Sequence, residues 1–203
     1  MTVPVVDLGR RGAALADTFA AAAARVAARG QWLLGPETAA FEAEFATWLR
    51  AEQAVAVASG ASALQVGLRA LGVGPSDEVI VPALTAVPTA AAVCATGATP
   101  VFADVDPATA ALDPNAAAGA RTERTRAAIP VHLYGRPANI DAIATALPGV
   151  ALLEDAAQAH GAVIDHTRSA AVAYSFYPTK NLGGFGDGGP PVQGYHGGSY
   201  HRF

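Results

Sequence analysis

The 203-residue sequence predicts an α/β domain, a mostly parallel β-sheet flanked by helices. Two patterns and the composition predict it. Short runs nearly continuous in apolar residues recur at 54–59, 78–81, 100–104, 127–132, 150–154 and 171–176, as in parallel strands buried on both faces. Helical patterns separate several of these runs, and strand–helix alternation implies crossovers and hence a parallel sheet. Hydrophobic residues make up 52% and charged residues 15%, which is a globular composition with material for one sizeable core.

Taken in order, residues 13–29 read as a helix that ends at Gly30. A second helix over 37–50 starts after Gly35-Pro36, and Phe41, Phe45, Trp48 and Leu49 recur in it at helical spacing. Helices over 62–71, 88–95 and 139–147 follow the first, second and fourth apolar runs. Residues 1–189 form one domain in this reading. Residues 190–203 lack periodicity, are rich in Gly, His and Tyr, and read as a disordered or extended tail.

A net charge of −4 with no basic patch argues against nucleic acid as a partner. Arg121, Arg124 and Arg126 are the densest basic run, and with Glu123 among them they read as a solvated loop. Cys94 is the only cysteine, so no intrachain disulfide forms, and the five histidines show no paired zinc spacing; no metal is expected. Arg10-Arg11 before an Ala-rich stretch imitates a twin-arginine signal, but Asp17 and Arg25 interrupt that stretch, which fits a mature helix better. No apolar run reaches the length of a membrane span, and a cytoplasmic location is the expectation.

Four segments carry candidate chemistry. Lys180 is the only lysine, against twelve arginines. Arginine cannot replace lysine where a primary amine must lose its proton and attack a carbonyl, so a lone lysine in a Gly-rich loop is a candidate Schiff-base nucleophile. An Ala- and Arg-rich coding bias explains the missing lysines but not the surviving one. Ser59-Gly60-Ala61-Ser62 follows a strand and opens a helix; such a turn can hold a phosphate on backbone N–H groups, although alone it reads more simply as an N-cap. Glu154-Asp155 ends an apolar strand, where an acid is well placed to hold a cationic ring nitrogen, with a surface helix-capping Asp as the plainer reading. Thr85 stands at another strand end, within reach of a ligand or as an N-cap.

In this order the segments resemble the DegT/DnrJ/StrS family of pyridoxal-phosphate sugar aminotransferases. The opening Pro4-Val5-Val6-Asp7-Leu8, Gly35-Pro36-Glu37 and Val131-His132-Leu133-Tyr134-Gly135 take part. The most specific parts are Glu154-Asp155-Ala156-Ala157-Gln158-Ala159-His160-Gly161 and the stretch 175–189. The resemblance implies a fold-type I aminotransferase large domain. It also implies pyridoxal 5′-phosphate as cofactor, and amino transfer from an amino acid, glutamate by preference, to a nucleotide-linked keto sugar. In its terms Lys180 forms the internal aldimine and shuttles the proton, and Asp155 bonds the pyridine nitrogen. Gln158 contacts the phenolic oxygen, Ala157 packs on a ring face, and Gly60, Ala61, Ser62 and Ser175 hold the phosphate.

The chain departs from the pattern in three places. Ala86 stands where many members place an aromatic that stacks on the cofactor, and Asp165, His166 and Arg168 stand where a glycine-rich turn is expected. Members continue beyond Gly186-Asp187-Gly188-Gly189 for roughly as long again, so the resemblance implies a missing C-terminal small domain and the loss of part of a homodimer interface. Turnover by this chain alone is therefore doubtful, and a non-catalytic relative that binds cofactor or a full-length partner is the alternative. A dehydratase of the same family carries histidine at the lysine position, which Lys180 argues against. A Rossmann protein lacks support, because no Gly-x-Gly-x-x-Gly follows the first strand.

Overall fold

A computed structural model describes residues 3–188 and the backbone of 191–193. Helix α1 (Leu8–Arg29) begins earlier than its apolar pattern predicts, because the Asp7 side chain accepts from the Arg10 N–H at 3.0 Å and caps it. Gly30 closes it at φ 66°, the left-handed conformation that glycine adopts without a Cβ penalty. Helix α2 (Pro36–Leu49) has proline in its first turn, where the missing N–H costs nothing. The chain then enters strand β1 (Gln53–Ala54), far shorter than the run 54–59 predicted, and turns into α3 (Gly60–Ala70).

From there strands and helices alternate: β2 (Glu78–Pro82), α4 (Val87–Cys94), β3 (Thr99–Ala103), α5 (Pro114–Ala120), β4 (Thr125–Ala128), α6 (Ile140–Ala146), β5 (Ala151–Asp155) and β6 (Ala171–Ala173). Strand β7 (Pro191–Gln193) lies in the segment read as a tail and is extended, but it is part of the sheet rather than free of it; the rest of 190–203 lies outside the described residues. The sheet has seven strands in the order β1-β7-β6-β5-β4-β2-β3. The strands β3, β2, β4, β5 and β6 are mutually parallel, and β7 runs antiparallel between β6 and β1.

Period-2 alternation explains why the strands are apolar throughout. Val79, Val81, Ile129 and Leu153 join Leu64, Leu68 and Val93 of α3 and α4 in one core. Ile80, Ala128 and Leu152 join Leu112, Ile143 and Leu147 in another. Gly67 lets α3 approach the sheet closely, since a Cβ there would meet Leu153 at 3.0 Å. A third core gathers Phe45, Val172 and Tyr174, with Phe41 and Phe176 packed against it. No helix among the described residues is long and apolar enough to cross a membrane.

One polar cluster lies within this core. Glu154, His132 and His166 are all buried, and Glu154 Oε2 lies 2.6 Å from His132 Nε2 and 2.8 Å from His166 Nδ1. Histidine spacing in the sequence gave no hint of it, because the three groups come from three separate loops and strands. Their ligand atoms are close enough together to suggest a metal centre. The tautomer argues otherwise. The Ala138 N–H donates to His132 Nδ1 at 3.0 Å, so Nε2 carries the proton and donates it to Glu154 instead of offering a lone pair to an ion. Burial alone would raise the Glu154 carboxyl, but the two imidazole hydrogen bonds outweigh it and hold the group below its ordinary value.

His160 sits beside Tyr174 and Phe176, 5.1 Å from each ring, and neither of its nitrogens has a partner among the described residues. Burial, with Lys180 adding repulsion, pushes it from 6.5 down to about 4.

Two stability measurements follow from these contacts. Glu154→Ala strands two buried imidazoles and is expected to cost about 3–5 kcal/mol in urea unfolding; a loss under about 1 kcal/mol would show the cluster to be dispensable. For His160, the unfolded chain takes up a proton below about 6.5 and the folded chain only below about 4, so stability is lost as pH falls through that window. His160→Phe, which suits the aromatic surroundings, should flatten that part of the stability–pH curve; an unchanged slope would assign it to other groups.

Candidate active site

The carboxyl ends of β2, β4, β5 and β6 converge on one cavity of about 270 Å³. Its wall includes Gly60, Ala61, Thr85, Ala86, Asp155, Ala157, Gln158, Ser175 and Lys180, so the four sequence segments meet at one place. Ser62 is the exception among the expected site residues. It stands outside the wall, its hydroxyl 3.0 Å from Ser59 Oγ, while Ser59 itself lines the cavity.

Each group is held from its own element. Ser59 caps α3 by accepting the Ser62 N–H at 3.1 Å. The Gly60 and Ala61 N–H groups occupy the first helical positions, where no intrahelical carbonyl reaches them, and this end of α3 can take an anion. Gly60 is required sterically, because a Cβ there would stand 2.8 Å from the Ser175 Cβ. Ser175 lies just past β6, so helix end and strand end form one cradle.

Asp155 ends β5 and is buried. Its Oδ1 accepts from the Ala157 N–H at 3.1 Å and its Oδ2 from the Thr89 hydroxyl at 2.9 Å. Burial pushes the carboxyl above its ordinary value, opposed by those two donors, by Lys180 and by His132. Such a group gains most from a cationic partner. Gln158 is oriented by the turn after β4: its Oε1 accepts the Tyr134 N–H at 2.7 Å, which leaves its amide NH₂ to donate elsewhere. Tyr134 adopts φ 56° to make that contact.

Lys180 sits in a loop closed by its own backbone. Lys180 N donates to Tyr177 O, Gly183 N to Lys180 O, and Gly184 N to Phe176 O, at 2.7–2.9 Å. A Cβ on Gly183 would fall 2.2 Å from Pro178 O, so the turn admits only glycine. Helix α1 braces this loop through Arg11 Nη1, 3.4 Å from Lys180 O, and through Phe19 stacked on Phe185 at 4.3 Å. An amine, a buried acid and an anion-binding helix end facing one cavity can hold a cationic aromatic ring bearing a phosphate and a carbonyl. Ser59, Tyr177, Thr179 and Asp187, which also line the cavity, stand inside segments marked in the sequence but carry no individual role there, and Thr89, the donor to Asp155, carried no local signal at all.

Comparison with known proteins adds what geometry cannot. The chain is 50% identical over 198 residues to the dTDP-3-amino-3,4,6-trideoxy-alpha-D-glucose transaminase of Streptomyces venezuelae, covering 95% of this chain and 52% of that protein. It is 43% identical to the UDP-2-acetamido-2-deoxy-3-oxo-D-glucuronate aminotransferase of Pseudomonas aeruginosa, with 92% and 54% covered. Among solved structures, S. venezuelae DesV in complex with a ketimine intermediate superposes with a TM-score of 0.88 at 48% identity, over 94% of this chain and 53% of that one. NtdA from Bacillus subtilis with bound cofactor PMP superposes with a TM-score of 0.90 at 32% identity, over 95% and 45%. The chain spans about half the length of the curated relatives it matches. The family model for DegT/DnrJ/EryC1/StrS aminotransferases matches residues 14–192, and the chain belongs to that family.

Proposed function

We propose that the chain is the cofactor-binding part of a pyridoxal-phosphate-dependent aminotransferase that moves an amino group from an amino acid, glutamate by preference, to a nucleotide-linked keto sugar. The convergence of Lys180, Asp155 and the α3 N-terminus on one cavity carries this reading. The curated names of relatives supply the substrate class: a dTDP sugar for one and a UDP sugar for another.

The residues fit the cofactor group by group. The Gly60 and Ala61 N–H groups and the Ser175 hydroxyl hold its phosphate, with Ser62 acting only through the Ser59 cap. The Asp155 carboxylate holds the pyridine nitrogen in its protonated form, which also relieves the cost of burying that carboxylate. Gln158, with Oε1 committed to Tyr134, donates its amide to the phenolic oxygen. Ala157 packs against a ring face. When bound, pyridoxal phosphate supplies the electron sink that makes amino transfer possible. Lys180 would supply the primary amine for the cofactor's carbonyl, a condensation that releases water, and would hold or return a proton at its Nζ. Full-length relatives are expected to work as homodimers, and the sugar and its nucleotide would be bound by parts of the protein beyond this cavity.

Two outcomes are expected. Incubation with pyridoxal phosphate and borohydride reduction should place one adduct on Lys180, the only lysine, and Lys180→Arg should abolish it. Peptide mass spectrometry reads the site, and an adduct confined to the terminal amine, or none at saturating cofactor, overturns the proposal. Ala86→Trp restores a ring on the cavity wall and should tighten cofactor binding by about 1 kcal/mol, roughly five-fold, in a visible-absorbance titration.

A further inference from the structure

We infer that Thr89, with Thr85 behind it, is the positioning residue that orients the Asp155 carboxyl and keeps it an acceptor for a protonated ring nitrogen. The role assigned to that nitrogen rests on the function proposed above; the effect on Asp155 does not.

Thr89 is fully buried, in the first turn of α4. Pro88 sets where the helix starts, and the Thr89 N–H donates to Ala86 O at 3.1 Å, so the side chain is aimed from a fixed backbone. It points to Asp155 Oδ2 at 2.9 Å, with Thr85 Oγ1 2.8 Å away on its other side. A hydroxyl has one proton to give. Thr89 gives it to Asp155 and therefore takes the proton of Thr85. The chain Thr85 → Thr89 → Asp155 thus has a direction whenever the carboxylate is ionised, and it leaves Thr85, on the cavity wall, as an acceptor. With Ala157 N–H on Oδ1, both carboxylate oxygens receive a lateral donor, and their remaining lone pairs are open to one more donor. If Asp155 carries a proton on Oδ2 directed at Thr89, the chain reverses and Thr85 becomes a donor to the cavity. The two hydroxyls therefore transmit the protonation state of a buried acid to the wall that meets the ligand.

Other groups act on the same carboxyl. Lys180 favours its ionised form, as His132 does only when its ring is charged, Asp187 and Tyr177 line the same cavity, and burial opposes ionisation. Thr89 is the only side-chain donor on Asp155 among the described residues. Valine matches threonine in shape but lacks the hydroxyl, so Thr89→Val separates the hydrogen bond from the packing, and Thr89→Ser returns the bond with less packing.

The test has two arms. In the cofactor-free chain, the Asp155 carboxyl carbon followed by NMR should titrate at higher pH in Thr89→Val than in the wild type, and Thr89→Ser should restore it. An unchanged titration in Thr89→Val overturns the inference. In the second arm, Thr89→Val should bind pyridoxal phosphate roughly ten-fold more weakly, the loss of one charge-assisted hydrogen bond, with Thr89→Ser close to wild type. With the deaza analogue, which has carbon in place of the ring nitrogen, wild type and Thr89→Val should bind alike. A penalty of the same size for the analogue means that Thr89 only supports packing, and it overturns the inference. A shifted Asp155 titration together with no cofactor binding by the wild type would instead remove the proposed function and leave the effect of Thr89 on Asp155 standing.

Discussion

A single carboxylate oxygen holds the centre of this molecule. Glu154 Oε2 is shared by His132 and His166 inside the core, and it ties together the end of β5, the turn after β4 and the loop before β6. The backbone repeats the connection, since His132 N donates to Asp155 O and Asp155 N to Pro130 O. Because strand residues alternate faces, fixing Glu154 beneath the sheet fixes Asp155 on the opposite face, toward the cavity. The orientation of Asp155 is thus inherited from a carboxylate–imidazole cluster that does not line the cavity. Buried charge of this kind contributes less to net stability than to uniqueness: any other register of β5 would leave the same carboxylate buried without its partners.

The cavity is assembled by pieces that are rigid for different reasons. The α3 end is rigid because it is capped and pressed against Ser175. The Lys180 loop is rigid because its carbonyls and N–H groups pair with one another and α1 leans on it through Arg11 and Phe19. The Gln158 amide is rigid because Tyr134 accepts a left-handed backbone conformation to meet it. A site built this way needs little rearrangement to receive a ligand, which lowers the entropy lost on binding. Helix α1, with no buried residue of its own, earns its place through the two contacts that brace the lysine loop.

Much of this was legible in the residues, and the failures have physical causes. Strands β2, β4 and β5 appear as apolar runs because the sheet centre is covered on both faces, whereas β3, at the edge, leaves Phe102 exposed. Asp155 stands out because an acid ending an apolar strand is expensive unless paired, and Lys180 because it is the only lysine, whereas Gln158 is marked only by the family resemblance. Helix α5 was not foreseen: Pro-Asn-Ala-Ala-Ala-Gly-Ala has no large apolar residue to mark a period, and the Asp113 cap, which accepts from Asn115 and Ala116 N–H, starts it instead. The run 54–59 looked like a strand because its residues are small and apolar, yet the β1 ladder covers only Gln53 and Ala54, and Val57 adds no more than a single bridge. Ser62 and Ser59 are equivalent on paper, and only the direction of the helix decides which one lines the cavity. Thr89 and the Glu154 cluster are invisible to any local rule, since their partners are 12 to 66 residues away.

The place of β7 has a consequence for how the chain reaches this state. Strand β1 pairs only with β7 among the described residues, and the two are roughly 140 residues apart, a loop whose closure entropy must be met before the pairing returns anything. The five parallel strands can assemble from near neighbours as they leave the ribosome, but the free edge of β6 must wait for nearly the last described residues. Until then that edge is an open template for any other strand. Among the described strands, synthesis order therefore makes the sheet edge beside the lysine loop close after the parallel strands, and leaves it exposed to mispairing in the interval.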